Sequence, residues 1–260
     1  MYSINLILAL SAASAVNAHM KVTLANGNLG GSMPALAIQD GVPRFGKNDA
    51  TEVDTTVFGG NPTKPTSSGL GKTNAQGKIT VDNMLKAAMA MGGGTIPTVS
   101  STGGHVNGTI RVVTSDGAPN NEKGEVFAVI DTTGQGNFKD SAVLMAQTNG
   151  VGKKGNVVQR SLFRAYILTL RTLGIRRRAT NVGADLSFSV KIPDGTTCTG
   201  TDAKSGASNF CVLKIANDNA AGPFGGSVVF AVSNGGTSGA TSPTTGGGAQ
   251  TRRRRADFKA

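Results

Sequence analysis

The two histidines of this 260-residue sequence, His19 and His105, are of the type and in positions from which a metal site could be built. His19 follows an apolar leader, so cleavage after Ala18 would give it a free α-amino group beside its imidazole ring. This amine and the two imidazole rings would supply three nitrogen ligands, a set that copper(II) prefers. The sequence therefore contains a candidate copper site made of His19 and His105. The alternative is that His19 is only a polar first residue.

The leader is predicted to be a signal peptide of residues 1–18. Residues 4–16 are apolar, and Val16-Asn17-Ala18 fits a small-residue cleavage site, although the usual basic residues at the start are absent. The apolar run is too short to cross a bilayer, and no later segment has enough consecutive apolar residues to do so. We therefore expect a secreted, extracellular protein that begins at His19 and has no membrane span.

The two cysteines, Cys198 and Cys211, lie in one stretch that also holds clear strand patterns. A secreted chain folds under oxidising conditions, so we expect these cysteines to form a disulfide that closes a short loop. Such a bridge contributes about 3 kcal/mol in the chain-entropy model. The alternative is two buried thiols that never meet.

The acidic residues offer a second kind of chemistry, since a pair of carboxylates can hydrolyse a glycosidic bond. Nothing in their spacing singles out a pair, and acids exposed on loops are the expected outcome. The sequence therefore favours a protein without enzymatic activity. The acids considered are Asp49, Glu52, Asp54, Asp116, Glu122, Glu125 and Asp131.

One modification motif is present at Asn107-Gly108-Thr109, which fits the acceptor pattern for N-glycosylation. The motif falls inside a predicted strand, and such sites are often unused. We therefore expect Asn107 to be an unoccupied candidate site.

Alternation of apolar and polar residues predicts most of the elements that would position these groups. Residues 19–25, 186–192 and 228–232 alternate with a period of two, which indicates strands with one buried and one wet face. Residues 81–91 predict one helix, with Met84, Leu85, Ala88 and Met91 on its buried face. Short strands without helical crossovers are typical of a sandwich. The predicted fold is mostly β, a single β-sandwich domain over residues 19–233 with one short helix and a disulfide-closed loop.

The glycine-rich stretch at residues 222–226, G-P-F-G-G, is predicted to bend sharply between two strands. Glycine tolerates the positive φ angles that such a bend requires. The strands on either side contain Cys211 and Phe230.

Two segments carry most of the net charge of +11. Residues 160–178 contain six Arg and no acid, and residues 252–260 contain four Arg and one Lys against one Asp. The remaining domain is nearly neutral and offers no basic face for nucleic acid. We interpret residues 160–178 as an insertion, with a membrane-binding basic helix or a surface helix as alternatives. Residues 234–260 are predicted to be a disordered tail rich in Gly, Ser and Thr.

Several motifs together resemble the Egh-type family of fungal proteins. They are N-G-N-L-G-G-S-M-P-A-L-A-I, P-R-F-G, E-V-D-T-T, I-P-T-V-S-S-T-G-G, S-D-G-A, I-P-D-G-T-T-C-T-G and A-G-P-F-G-G-S-V-V-F-A-V-S. The resemblance covers residues 19–233 and implies an extracellular, virulence-associated protein of the appressorium. The sequence departs from the family pattern in having fewer cysteines, Arg111 where the pattern has His, and the additional residues 160–178.

The resemblance predicts a protein that acts at the fungus–host interface by binding. The expected partners are a cell-wall or host-surface polysaccharide or a host protein, and the expected state is a monomer. The alternative is a copper-dependent protein that acts on polysaccharides. Lytic polysaccharide monooxygenases hold copper with an N-terminal histidine on a β-sandwich, and the N-terminal layout of His19 is similar to theirs.

Overall fold

The computed structural model describes residues 18–61, 64–67, 69–115, 124–157, 180–220 and 222–233. These residues form fourteen strands in two sheets and two α-helices, so the mostly-β fold predicted from the sequence is confirmed. The helices are α1 (Asn48–Thr51) and α2 (Val81–Met91). The strands are β1 (Met20–Gly27), β2 (Gly30–Met33), β3 (Thr56–Val57), β4 (Lys72–Thr73), β5 (Gly77–Lys78), β6 (Thr98–Ser100), β7 (His105–Ser115), β8 (Val126–Asp131), β9 (Leu144–Met145), β10 (Gln147–Thr148), β11 (Thr180–Lys191), β12 (Gly200–Asp202), β13 (Ala207–Asn217) and β14 (Phe224–Ser233).

The smaller sheet has five strands in the order β10-β11-β7-β1-β2, and each strand is antiparallel to its neighbours. The larger sheet has the order β5-β4-β3-β14-β13-β8-β9, with β12 beside β13 and β6 beside β14. Only the β6–β14 pair is parallel among these described strands. The long pairing of β7 with β11 gives the smaller sheet a continuous surface.

The core lies between the two sheets, where β1 of the smaller sheet packs on β14 of the larger one. Glycine at 226 makes this approach possible, because a Cβ there would stand 2.7 Å from Ala35 Cβ and 3.1 Å from Val22 Cβ. The bend predicted at residues 222–226 is shorter than expected, because strand β14 already begins at Phe224. Gly222 has a φ of +144°, whereas Phe224–Ser233 is already strand.

Strands β13 and β14 are buried on both faces, which corrects the prediction of one wet face for residues 228–232. Val212, Lys214 and Ala216 are buried as completely as the residues that alternate with them. The second face is covered by segments that follow β3 and β8, and the rings of Phe58 and Phe138 lie against Lys214. The alternation of β13 could not reveal this cover, because it comes from other parts of the chain.

Helix α2 has the bounds predicted from the sequence. Met84, Leu85 and Ala88 are buried as expected, whereas Met91 is 41% exposed, so its predicted burial is wrong. The helix ends at Gly92, whose Cβ would stand only 2.0 Å from the backbone oxygen of Ser32. The close approach to β2 at the end of the helix therefore requires glycine at position 92.

Cys198 and Cys211 form the predicted disulfide, with their Cα atoms 4.9 Å apart. The bridge ties the segment before β12 to the fully buried strand β13.

Replacing Cys198 and Cys211 together by alanine is expected to lower the free energy of unfolding by about 2–5 kcal/mol. The reason is that the open loop regains conformational freedom in the unfolded chain. Urea denaturation at neutral pH measures the change, and Thr201→Val at an exposed strand position serves as the control. A loss below about 1 kcal/mol for the double variant would contradict the prediction.

Three predicted segments lie outside the described residues. They are the signal peptide apart from Ala18, the proposed insertion at residues 160–178, and the tail at residues 234–260. The expectations for these segments stay predictions. Within the described ranges, the helices are all too short or too polar to span a bilayer.

Candidate functional site

The structure does not bring the two histidines together. Strands β1 and β7 are antiparallel, and the backbone oxygen of His19 accepts a hydrogen bond from Val113 N, whereas His105 begins β7 at the opposite end. Eight residues of strand separate these two positions along β7, about 26 Å at 3.3 Å per residue. His19 and His105 therefore do not share a site in this structure, and copper binding by His19 stays a prediction. Within the described ranges, no group of three His, Cys, Asp or Glu side chains could hold a metal ion.

His19 instead makes contacts that fix the start of β1. Its Nδ1 lies 2.8 Å from Oε1 of Glu52, and its ring meets the ring of Phe224 edge-on at 4.2 Å. Its backbone N donates a hydrogen bond to the hydroxyl of Thr114 at 3.1 Å. These contacts join β1 to β7, to β14 and to the segment after α1.

Two of the acids considered for catalysis have buried structural partners. Asp54 forms an ion pair with Lys21 at 2.5 Å and accepts a hydrogen bond from Gln39 N. Asp131 accepts hydrogen bonds from four donors in the loop after β8, namely the N–H groups of residues 133, 136 and 137 and the hydroxyl of Thr133. Both carboxylates are therefore already engaged in holding the fold.

The sequence singled out no hydrolytic pair among the other acids, and those that the structure describes lie in separate surroundings. Asp49 accepts a hydrogen bond from Ala50 N, and Asp116 and Glu122 lie outside the described residues. Glu125 lies near Asp218, an acid that the sequence analysis did not consider. Burial raises the pKa of Asp218, and the negative charge of Glu125 raises it further.

The outer face of the smaller sheet carries an open groove with a volume of about 530 Å³. We call this feature the sheet groove. Its lining consists of uncharged residues, mostly amides and hydroxyls: Asn26, Asn107, Gly108, Thr109, Gln147, Thr148, Asn149, Ser187, Phe188 and Ser189.

Strand register aligns four of these side chains in one row across the sheet. Gln147 of β10 is the partner of Ser189 of β11, Ser189 is the partner of Asn107 of β7, and Asn107 is the partner of Asn26 of β1. We call these four residues the amide row. Strands lie about 4.8 Å apart, so the row extends about 14 Å across the sheet. A second pair, Thr109 and Ser187, lies beside it in the same groove.

A charged cluster lies beyond the groove on the same face. Arg111 donates two hydrogen bonds to Asp185, at 2.7 and 3.1 Å, and Arg44 lies 3.0 Å from the same carboxylate. The hydrogen bond from Arg111 lowers the pKa of Asp185 below its usual value. The Arg44 guanidinium also lies 5.6 Å from the ring centre of Phe45, which is 63% exposed. Arg111, which departs from the family pattern, therefore forms an ion pair within the sheet.

The candidate glycosylation site lies in the middle of the sheet groove. Asn107 is in β7, as predicted, and both Asn107 and Thr109 line the groove. A glycan on Asn107 would project from the amide row and occupy the space beside it. Its absence from the mature protein stays a prediction, which the intact mass of the protein measures.

The sheet groove can form many hydrogen bonds without offering a charge. Amides and hydroxyls both donate and accept hydrogen bonds, which suits ligands rich in hydroxyl groups. Sequence reasoning missed this site, although the signal is visible in the polar positions of β7 and β11. Only the register of four separate segments shows that these positions form one surface.

Comparison with known proteins gives consistent matches. A family model described as "Egh16-like virulence factor" matches residues 17–225. The "Appressoria-specific virulence factor GAS2" of Pyricularia oryzae is 25% identical over 262 residues, covering 88% of each chain. The "Appressoria-specific virulence factor GAS1" of the same fungus is 28% identical over 218 residues, covering 84% of this chain and 73% of that protein. No solved structure matches the chain.

Proposed function

Because the chain belongs to the Egh16-like virulence factor family, we propose that it is a virulence-associated fungal protein acting outside the cell at the host interface. Its relatives are named as appressoria-specific virulence factors. The proposed action is binding of wall or host-surface material.

The sheet groove is the observation that carries the binding function. It is a continuous surface on the five-stranded sheet, lined by side chains that can form hydrogen bonds. Among the residues that the structure describes, Glu52, Asp54 and Asp131 make contacts that hold the fold, and the two histidines are far apart. These facts favour a binding protein over a copper-dependent one.

The surroundings of Ala18 bear on the proposed secretion. Ala18 is buried, and its carbonyl accepts a hydrogen bond from the Asn219 side chain at 3.3 Å. The bond between Ala18 and His19 is therefore covered in the folded chain. We infer that cleavage precedes folding, which is the order expected when a signal peptide is removed during export.

The experiment expresses the full chain in a filamentous fungus and recovers protein from the culture medium. N-terminal sequencing is expected to begin at His19. The recovered protein is then sedimented with insoluble fungal wall and plant surface fractions, and it is expected to pellet with at least one of them.

Two results would overturn the proposal. One is a chain that stays in the cells with residues 1–18 attached. The other is a processed protein that remains in the supernatant with every fraction. A heat-unfolded sample of the same protein, with its disulfide reduced, controls for non-specific adsorption.

A further inference from the structure

We propose that the sheet groove binds a neutral polysaccharide chain that runs from the amide row toward Phe45. This inference rests on the proposed binding function and names its ligand class. Three properties of the outer face carry it: the absence of charge in the groove, the alignment of the amide row, and the exposed aromatic ring beyond it.

The absence of charge identifies the kind of ligand. The chain has a net charge of +11, yet the residues that line the groove are all uncharged. An acidic polysaccharide would find no cation in the groove to balance its carboxylates, and a basic one would find no anion. Sugar hydroxyls donate and accept hydrogen bonds, as do the side chains of Asn107, Ser189 and Gln147. A neutral glycan therefore matches the groove better than a charged one.

The charged cluster next to the groove pairs two guanidinium groups with one carboxylate, which leaves a net charge of +1. Asp185 is held by Arg111 through two hydrogen bonds and by Arg44 through an ion pair. Arg44 also donates a hydrogen bond from Nε to the backbone oxygen of Gly183 at 2.8 Å. Since the guanidinium groups are directed to Asp185 and the backbone, the cluster offers an acidic ligand one unbalanced positive charge, which lies outside the groove.

Phe45 provides an apolar platform at the far end. A Cβ on Gly183 of β11 would stand 2.7 Å from the Phe45 ring, so the ring lies directly over this residue. Gly183 and Ser189 are six residues apart on β11, which is about 20 Å. An exposed aromatic ring can pack against the C–H face of a sugar. The distance suits a chain of several sugars that extends along β11.

The test measures binding of defined hexasaccharides to the mature protein by calorimetry. The neutral probes are β-1,3-linked glucose, β-1,4-linked glucose and β-1,4-linked N-acetylglucosamine, and the charged probes are oligogalacturonate and chitosan. At least one neutral probe is expected to bind, and both charged probes are expected to bind at least about tenfold more weakly. The protein is produced in a host that attaches no N-glycans, so that Asn107 keeps its side-chain amide.

The variants test the position of the ligand. Asn107→Val with Ser189→Val removes two neighbouring members of the amide row and is expected to weaken binding about tenfold or more. Thr201→Val with Ser208→Val is the matched control, since these residues are also cross-strand partners but lie on the larger sheet.

Gln147→Val, at an exposed position on the short strand β10, provides a second test that disturbs the fold less. Phe45→Ala is expected to weaken binding several-fold.

The outcomes separate this inference from the function on which it rests. Unchanged affinity in the Gln147→Val and Phe45→Ala variants, or tight binding of a charged probe, overturns the inference. So does binding only to a host protein in the surface fraction. If wall fractions pellet the protein but no neutral hexasaccharide binds, the inference fails and the proposed function stands. If no fraction pellets the protein, both fail.

Discussion

Replacing Lys21 by methionine is expected to lower the free energy of unfolding by about 3–5 kcal/mol, because Asp54 would be left as a buried carboxylate without its cation. The Lys21 side chain is 3% exposed and that of Asp54 is 1% exposed. Their charged atoms lie 2.5 Å apart, and Lys21 Nζ also donates a hydrogen bond to the backbone oxygen of Thr51. Denaturant unfolding at pH 7 measures the loss.

Two further variants show whether burial is the cause. Lys21→Met combined with Asp54→Asn is expected to recover much of the lost stability, because the isolated charge is removed as well. Arg44→Met breaks the more exposed pair with Asp185 and is expected to cost less than about 1 kcal/mol. Equal losses for Lys21→Met and Arg44→Met would contradict the interpretation.

The burial of Lys21 shows why strand alternation could not predict this pair. The alternation of β1 placed Met20, Val22 and Leu24 on the buried face. The register with β7 shifts between Val22 and Leu24, and after this irregularity Ala25 is buried whereas Leu24 is 37% exposed. Lys21 lies on the outer face, where Thr51 and Asp54 cover it. The alternation of apolar and polar residues along a strand cannot predict a bulge or a loop that covers the outer face.

Local sequence patterns correctly predicted the elements that depend mainly on contacts between residues close together in the chain. Residues 81–91 form a helix with the bounds expected from sequence, and the two cysteines are bridged. The sheet groove is different, because its amide row combines residues from four strands. The polarity of Asn107 and Ser189 could be read from the sequence. Their adjacency depends on a pairing between segments that are 82 positions apart, which local propensity does not specify.

Lys214 is the second site where a large effect is expected, because a lysine is fully buried in the larger sheet. Burial lowers its pKa from 10.5 to about 7. Its Nζ donates a hydrogen bond to the backbone oxygen of Pro65 at 2.5 Å. It also lies 4.6 Å from the ring centre of Phe58 and 5.1 Å from that of Phe138. The carbonyl and the two rings favour the ammonium form and so oppose the effect of burial.

The free energy of unfolding is therefore expected to rise as the pH increases from about 7 toward 10. In this window the unfolded chain keeps a proton on Lys214 that the folded chain has released, so higher pH favours the folded state. Below pH 7 both states carry the proton, and the cost of burying the charge is fully present. A shift from 10.5 to about 7 corresponds to an upper limit on the order of 5 kcal/mol, which the carbonyl and the rings reduce.

Lys214→Met tests this linkage, because methionine fills a similar space without a titrating group. The variant is expected to lose most of the rise in unfolding free energy between pH 7 and 9.5. Near pH 7 it is expected to be as stable as the unmodified chain or more stable, since the cost of a buried charge is gone. Lys204→Met removes an exposed lysine and should leave the pH dependence unchanged. If Lys214→Met retains the full slope, another group causes it, and the buried ammonium keeps its proton through its contacts with Pro65, Phe58 and Phe138.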